Sequence, residues 1–207
     1  MTASRLTQML ARQLAHPSGV GGLLLGKAMD LANRGPTRRA VELLDPRDGE
    51  LICDAGCGTG RALAQVLARA DCLASGLDPS GRMIADARRH LGARAELVRG
   101  TIEEQPFGPR RFHGILALNV LYFAQADAAM AHALYRMLEP GGRLVAYVTA
   151  RETMEGWGFT RAGYHRLYDE AELTALLTEG GFAPERIVIH REPVGFGAIG
   201  LFAYAQG

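Results

Sequence analysis

The sequence predicts an α/β protein: a doubly wound, mostly parallel sheet of seven strands with helices on both faces, a C-terminal antiparallel hairpin and a helical N-terminal appendage. Two observations carry this. Apolar runs of strand length alternate with segments of helical spacing, and the turn Asp54-Ala-Gly-Cys-Gly-Thr-Gly60 directly follows the first such run. Glycine at alternate positions removes side chains where the backbone bends, so the turn is expected to bring bare amide groups close to a ligand.

Along the chain, residues 1–40 read as the appendage. Leu6, Met9, Leu10 and Leu14 share one helical face, His16 to Gly22 interrupts it, and Leu24, Leu25, Ala28 and Met29 resume it. Packing on the host domain is the expected fate of these helices, with a membrane-surface contact as the alternative. The domain proper is placed at 41–207, with strands near 50–55, 73–78, 95–100, 112–119 and 142–150. Helices from Arg61 to Ala70, Gly81 to Leu91 and Asp127 to Leu138 have apolar residues three and four apart and form right-handed crossovers. Beyond the fifth strand, Asp169 to Glu179 reads as a helix closed by Gly180-Gly181. Residues 185–190 and 198–204 alternate as the hairpin strands, joined through Pro193 to Gly197.

Composition narrows the function. A chain of 207 residues suits one compact domain with an appended segment. The net charge of +1 balances 23 basic against 22 acidic side chains, and the pairs Arg38-Arg39, Arg88-Arg89 and Arg110-Arg111 are scattered, so no nucleic-acid partner is expected. No apolar window has transmembrane length and Met1 to Leu10 lacks a signal-peptide core, which implies a cytoplasmic protein without integral membrane association. Cys53, Cys57 and Cys72 form neither a disulfide set nor a zinc pattern, so reduced thiols and no metal are expected. Cys57 reads as a small side chain packed beneath the glycine turn, with no partner base to make it a nucleophile.

The turn itself selects a ligand class. A strand, a glycine turn and a helix start set the positive helix end above the sheet, where an anion or carboxylate belongs. Asp78 ends the next strand eighteen residues after Gly60, where a carboxylate can accept from both ribose hydroxyls. A nucleoside with a charged or zwitterionic tail fits both. Nucleoside triphosphate is disfavoured because Arg61 follows Gly60 where a phosphate-gripping lysine would stand. A nicotinamide dinucleotide needs a third glycine where Arg61 or Leu63 stands, depending on the register.

Six stretches in order resemble the motifs of class I S-adenosylmethionine-dependent methyltransferases, small-molecule branch, type 11 or 25: DAGCGTG, GLDPSGRMIADAR, VRGTIEEQPF, FHGILALNVLYF, LEPGGRLV and LYDEAELTALLTEGGF. The resemblance covers residues 40 to 207 and implies a Rossmann-like fold with S-adenosylmethionine as cofactor and S-adenosylhomocysteine as product. By its terms Asp54, Gly56, Cys57, Gly58 and Gly60 surround the methionine portion and Asp78, Pro79 and Met83 the ribose. Thr101, Ile102 and Glu103 line the adenine, and Asn119 faces the methyl-donor cleft. Two departures stand out: Thr101 replaces the usual aspartate, which shifts adenine recognition towards the backbone of Ile102, and Phe112-His113 replaces Phe-Asp, His113 reading as structural.

Methyl transfer needs alignment and dryness more than catalytic side chains, since the cofactor supplies the activated methyl. Acceptor contacts are expected from Tyr122, Trp157, Tyr164 and His165, with His165 the candidate base and Tyr122 a second catalytic candidate. The acceptor is a small molecule methylated on O, N or C. An NAD(P)-binding reductase and a non-catalytic S-adenosylmethionine-binding protein are the alternatives.

Overall fold

In the computed structural model the described residues are 33–125, 127–157 and 166–207, so the predicted N-terminal helices before Asn33 lie outside them. Seven strands form one sheet: β1 Leu51–Ala55, β2 Leu73–Asp78, β3 Ala95–Arg99, β4 Phe112–Leu118, β5 Leu138–Thr149, β6 Ile187–Gly195 and β7 Ala198–Gln206. Their order is β3-β2-β1-β4-β5-β7-β6, with β1 to β5 parallel and β7 inserted antiparallel between β5 and β6. The predicted fold class is the observed one.

Helices α1 Arg34–Leu44, α2 Arg61–Arg69, α3 Gly81–Leu91, α4 Ala129–Arg136, α5 Arg151–Glu155 and α6 Glu170–Glu179 complete the described layers. Their starts have local causes. Ser80 caps α3 by accepting from Met83 N at 3.4 Å, and Asp169 with Glu172 forms a reciprocal capping box on α6. Asp127 Oδ1 accepts from Ala129 N at 3.1 Å, so α4 begins two residues after the predicted start. No helix among the described residues is long and apolar enough to cross a membrane.

Two boundaries differ from expectation. The division drawn between residues 40 and 41 falls inside α1, whose Ala40, Val41 and Leu44 are buried in one cluster with Ile52, Leu116, Val145 and Phe202. That helix is part of the sheet's own cover, so the packed unit begins by Arg34. The hairpin strand β6 runs through Pro193 to Gly195, although Pro193 was assigned to the connection. As an edge strand it leaves one side unpaired, where a missing N–H is harmless. The turn is left to Phe196 and Gly197, with φ of 51° and 72°, the left-handed pair a tight hairpin favours.

At the amino ends of the strands, Arg143 of β5 binds a cluster of acceptors. Its guanidinium donates to Glu50 Oε1 at 2.9 Å, Glu50 Oε2 at 2.6 Å, Asp45 O at 2.7 Å and Leu44 O. The two side chains are only 13% and 14% exposed. Beside them Leu51 N donates to His113 Nδ1 at 3.1 Å, which gives His113 the structural role expected of it. The C-terminus of α1 is thereby tied to β1, β4 and β5, and the opposite end of the sheet is left for chemistry.

Candidate functional site

Above the carboxyl ends of β1 and β2 the chain makes its glycine turn, with Gly56, Gly58 and Gly60 at φ of 90°, 51° and 79°. These are left-handed conformations that side chains resist. Space is short as well: a Cβ on Gly56 would stand 2.1 Å from Val120 Cγ1, and one on Gly60 would stand 2.7 Å from Leu91 Cδ1.

The amides of this turn are engaged within the chain, contrary to the bare groups expected. Gly56 N and Cys57 N both donate to Leu77 O, at 2.8 and 2.9 Å, and Gly60 N donates to Cys57 O at 2.8 Å. Gly58 N donates to Asp78 Oδ2 at 3.0 Å. The turn therefore offers shape, not a row of open donors. Cys57 lies buried beneath it, and burial with the charges of Asp54 and Asp78 pushes its thiol well above the ordinary range, which agrees with a packing role.

What the turn does leave open is a carboxylate. Asp54, in β1, is 2% exposed, and its Oδ1 is buried without a hydrogen-bond partner. Burial, then the charge of Asp78, raises its pKa to about 7. Burial raises Asp78 too, against hydrogen bonds from Ser80 N and Gly58 N that favour its charged form. A carboxylate offers about four acceptor positions, so Asp78 retains capacity for a ligand.

A cleft of about 530 Å³ opens here, lined by the start of α1, the glycine turn, the first turns of α2 and the end of β4. It brings together Asp54, Gly56, Cys57, Gly58 and Asn119 of the predicted residues. Asn119 holds φ of 59°, fixed by Asn119 N donating to Tyr147 O at 2.9 Å and by its Nδ2 donating to Asn33 Oδ1 at 3.3 Å. Asparagine is one of the few residues that tolerate that conformation. A larger, shallow hollow of about 840 Å³ between α6 and β6 contains none of these residues and lies away from the strand ends that carry the polar groups.

The predicted adenine and ribose residues stand beside the cleft, not in its lining. Gly100 N donates to Asp78 O at 3.2 Å, which sets the segment after β3 next to the end of β2. There Ile102 is buried, Glu103 and Pro79 are exposed, and Met83 is half-buried. Thr101 is tied into its own turn: its N–H donates to Glu104 Oε2 at 2.8 Å and its hydroxyl accepts from Glu104 N at 3.3 Å.

Tyr122 requires correction. It is 8% exposed within the main core cluster, and its hydroxyl oxygen accepts from Thr149 N. Burial pushes that hydroxyl far above the ordinary phenol range. It supports the end of β5 and does not face the cleft. Trp157 follows α5 and is 39% exposed, while Tyr164 and His165 lie outside the described residues. The sequence reading missed Arg34, Thr37 and Arg38, which line the cleft from α1. They fell in or beside the segment assigned to the appendage, and the arginine pair at 38 and 39 was the one signal available.

The fold, with its glycine turn after β1 and an acid ending β2, is one that solved methyltransferases share. Residues 52–142 match the family model described as a methyltransferase domain. The chain is 33% identical over 121 residues to a ubiquinone biosynthesis O-methyltransferase of Methylocella silvestris, covering 57% of this chain and 46% of that protein. It is 27% identical over 129 residues to 24-methylenesterol C-methyltransferase 2 of Oryza sativa, covering 60% and 36%. The chain thus spans less than half the length of these two relatives. Among solved structures, the 1,6-didemethyltoxoflavin-N1-methyltransferase of Burkholderia thailandensis superimposes with a TM-score of 0.71 at 21% identity, covering 100% of this chain and 91% of that one. Residues 52–142 are thus similar in sequence to methyltransferase domains, and the fold is shared with solved methyltransferases.

Proposed function

We propose that this chain transfers the methyl group of S-adenosylmethionine to an oxygen, nitrogen or carbon of a small molecule. The observation that carries the reading is the orphaned Asp54 Oδ1 beneath the glycine turn. A buried, unpaired carboxylate oxygen is a costly feature unless a donor arrives, and the ammonium group of a methionyl tail is such a donor.

The rest of the site fits the same ligand. Asp78 has acceptor positions left for ribose hydroxyls, and the side-chain-free Gly56, Gly58 and Gly60 let the tail approach the backbone, with Cys57 filling the space below. Pro79 and Met83 flank the ribose beside Asp78, and Thr101, Ile102 and Glu103 wall the adenine. With the Thr101 hydroxyl turned towards Glu104 N, the backbone at Ile102 carries part of base recognition in this reading. When bound, the donor supplies an activated methyl. The chain's part is to orient the acceptor behind it and keep water out. Asn119 lines that space, and Trp157, Tyr164 and His165 are the further acceptor contacts of this reading, His165 as base where the acceptor is a hydroxyl or carbon acid. Relatives named for C-, O- and N-methylation leave the accepting atom open.

The test is calorimetry with S-adenosylhomocysteine and with NAD, followed by transfer of labelled methyl to metabolites. Binding of the first, with label in a small molecule, supports the reading. Binding of NAD alone overturns it, and S-adenosylhomocysteine binding without transfer reduces the chain to a non-catalytic binding protein.

A further inference from the structure

The cleft is more basic than its donor requires. Arg34 and Arg38 stand one turn apart on α1 with Thr37 buried between them, and all three line the cleft. The acid lining it with them is Asp54, which the ammonium of the donor engages. S-adenosylmethionine bears a sulfonium and an ammonium against a single carboxylate, so it is itself a net cation. One carboxylate matches one guanidinium. The remaining positive charge would repel the sulfonium in a partly enclosed site, unless a second anion enters.

Arg34 and Arg38 are available to bind that anion. Among the described residues Arg34 has no ion-pair partner, and Arg38 reaches Glu42 only at 4.0 Å with its side chain 76% exposed, a pair of little strength. Two guanidinium groups four residues apart on one helix point the same way and can close on one acidic group.

We infer that Arg34 and Arg38 form an anion subsite for the acceptor, so that the molecule methylated carries a carboxylate, phosphate or comparable acidic group. This rests on the methyl-transfer reading above. The same anionic chemistry has a second source, the donor's own carboxylate, and the experiment separates the two.

The full-length protein is incubated with labelled S-adenosylmethionine and a metabolite extract of the encoding organism, split beforehand on an anion exchanger at pH 7 into retained and flow-through fractions. The same is done with the Arg34→Gln/Arg38→Gln variant, and S-adenosylhomocysteine affinity is titrated for both proteins. Both positions are exposed, and matching melting temperatures establish that the variant folds. The inference expects label in the retained fraction, a loss of tenfold or more in its rate for the variant at subsaturating extract, and a change in S-adenosylhomocysteine affinity of less than threefold. Label confined to the flow-through overturns the inference and leaves methyl transfer standing. An equal loss of S-adenosylhomocysteine affinity also overturns it, by assigning the arginines to the donor. No label in either fraction, with S-adenosylhomocysteine still bound, overturns the methyl-transfer reading and this inference together.

Discussion

Glu50 immediately precedes β1 and Asp54 stands near its far end, four residues on, and the chain treats them in opposite ways. Glu50 is held by Arg143 through both oxygens and by Arg47 N at 2.9 Å. Burial works against its charge, but the Arg143 hydrogen bonds prevail and hold its pKa below the usual carboxylate value. Among the described residues Asp54 has no ion-pair partner; it has an open oxygen and a pKa raised to about 7. A carboxylate saturated by the chain is a fastener; one left open at still deeper burial is a socket. The contrast locates the functional end of the sheet from electrostatics alone.

The largest effect belongs to the fastener. Arg143→Ala leaves Glu50 without its cation and the carbonyls of Leu44 and Asp45 without their donor, so it should destabilise the chain by about 3 to 5 kcal/mol in urea unfolding. A loss under ~1 kcal/mol would show that the pair is ornamental. The pH dependence carries the same sign: Glu50's contribution is present above its unfolded pKa and fades as the pH falls through its lowered folded value.

Asp54 runs the other way. Its folded pKa lies above the unfolded one, so its contribution favours the fold at low pH and is lost as the pH rises from about 4 to about 7. Asp54→Asn should therefore stabilise the ligand-free chain at pH 8 by roughly 2 to 4 kcal/mol, the scale of a shift of this size, while weakening S-adenosylhomocysteine binding. An ammonium beside Asp54 should pull its pKa back down. In that case the melting-temperature gain from S-adenosylhomocysteine grows between pH 5 and 8 in the native protein and is flat in Asp54→Asn. A pH-independent gain in the native protein would remove Asp54 from the tail-binding role.

Asp78 stands between the two extremes, part fastener and part socket. Asp78→Ala removes the acceptor for Gly58 N and Ser80 N as well as for a ribose, and should weaken S-adenosylhomocysteine binding by about 1 to 3 kcal/mol. Calorimetry on Asp78→Asn separates these roles, because one acceptor oxygen survives. Unchanged affinity in both variants would place the ribose elsewhere.

The fold was legible because its signals are local and periodic: apolar runs in β1, β2 and β4, helical spacing in α2 and α3, and glycines where the backbone turns left-handed. Pro193 misled because proline reads as a breaker, and only the sheet order reveals that β6 is an edge that tolerates it. The socket was half legible. Glycine spacing marked the turn, but spacing does not say where an amide donates, and Leu77 O takes two of those expected to be bare. The α1 side of the cleft was hidden because Arg34 and Thr37 approach Asp54 only through the tertiary packing of Ala40, Val41 and Leu44.

Tyr122 is the smallest test and bears on the same distinction. In sequence it looks like a socket residue, three positions after Asn119 in the loop beyond β4. In the structure its oxygen accepts from Thr149 N, and its own carbonyl accepts from Arg166 N at 2.8 Å, which joins that loop to the segments following β5. Tyr122→Phe keeps the ring in the core and removes one acceptor from a buried N–H, so stability should fall by about 1 kcal/mol. The pH profile of methyl transfer should not move, since the phenol is held too high to titrate as a base near neutrality. A lost basic limb in that profile, with stability intact, would return Tyr122 to the catalytic side.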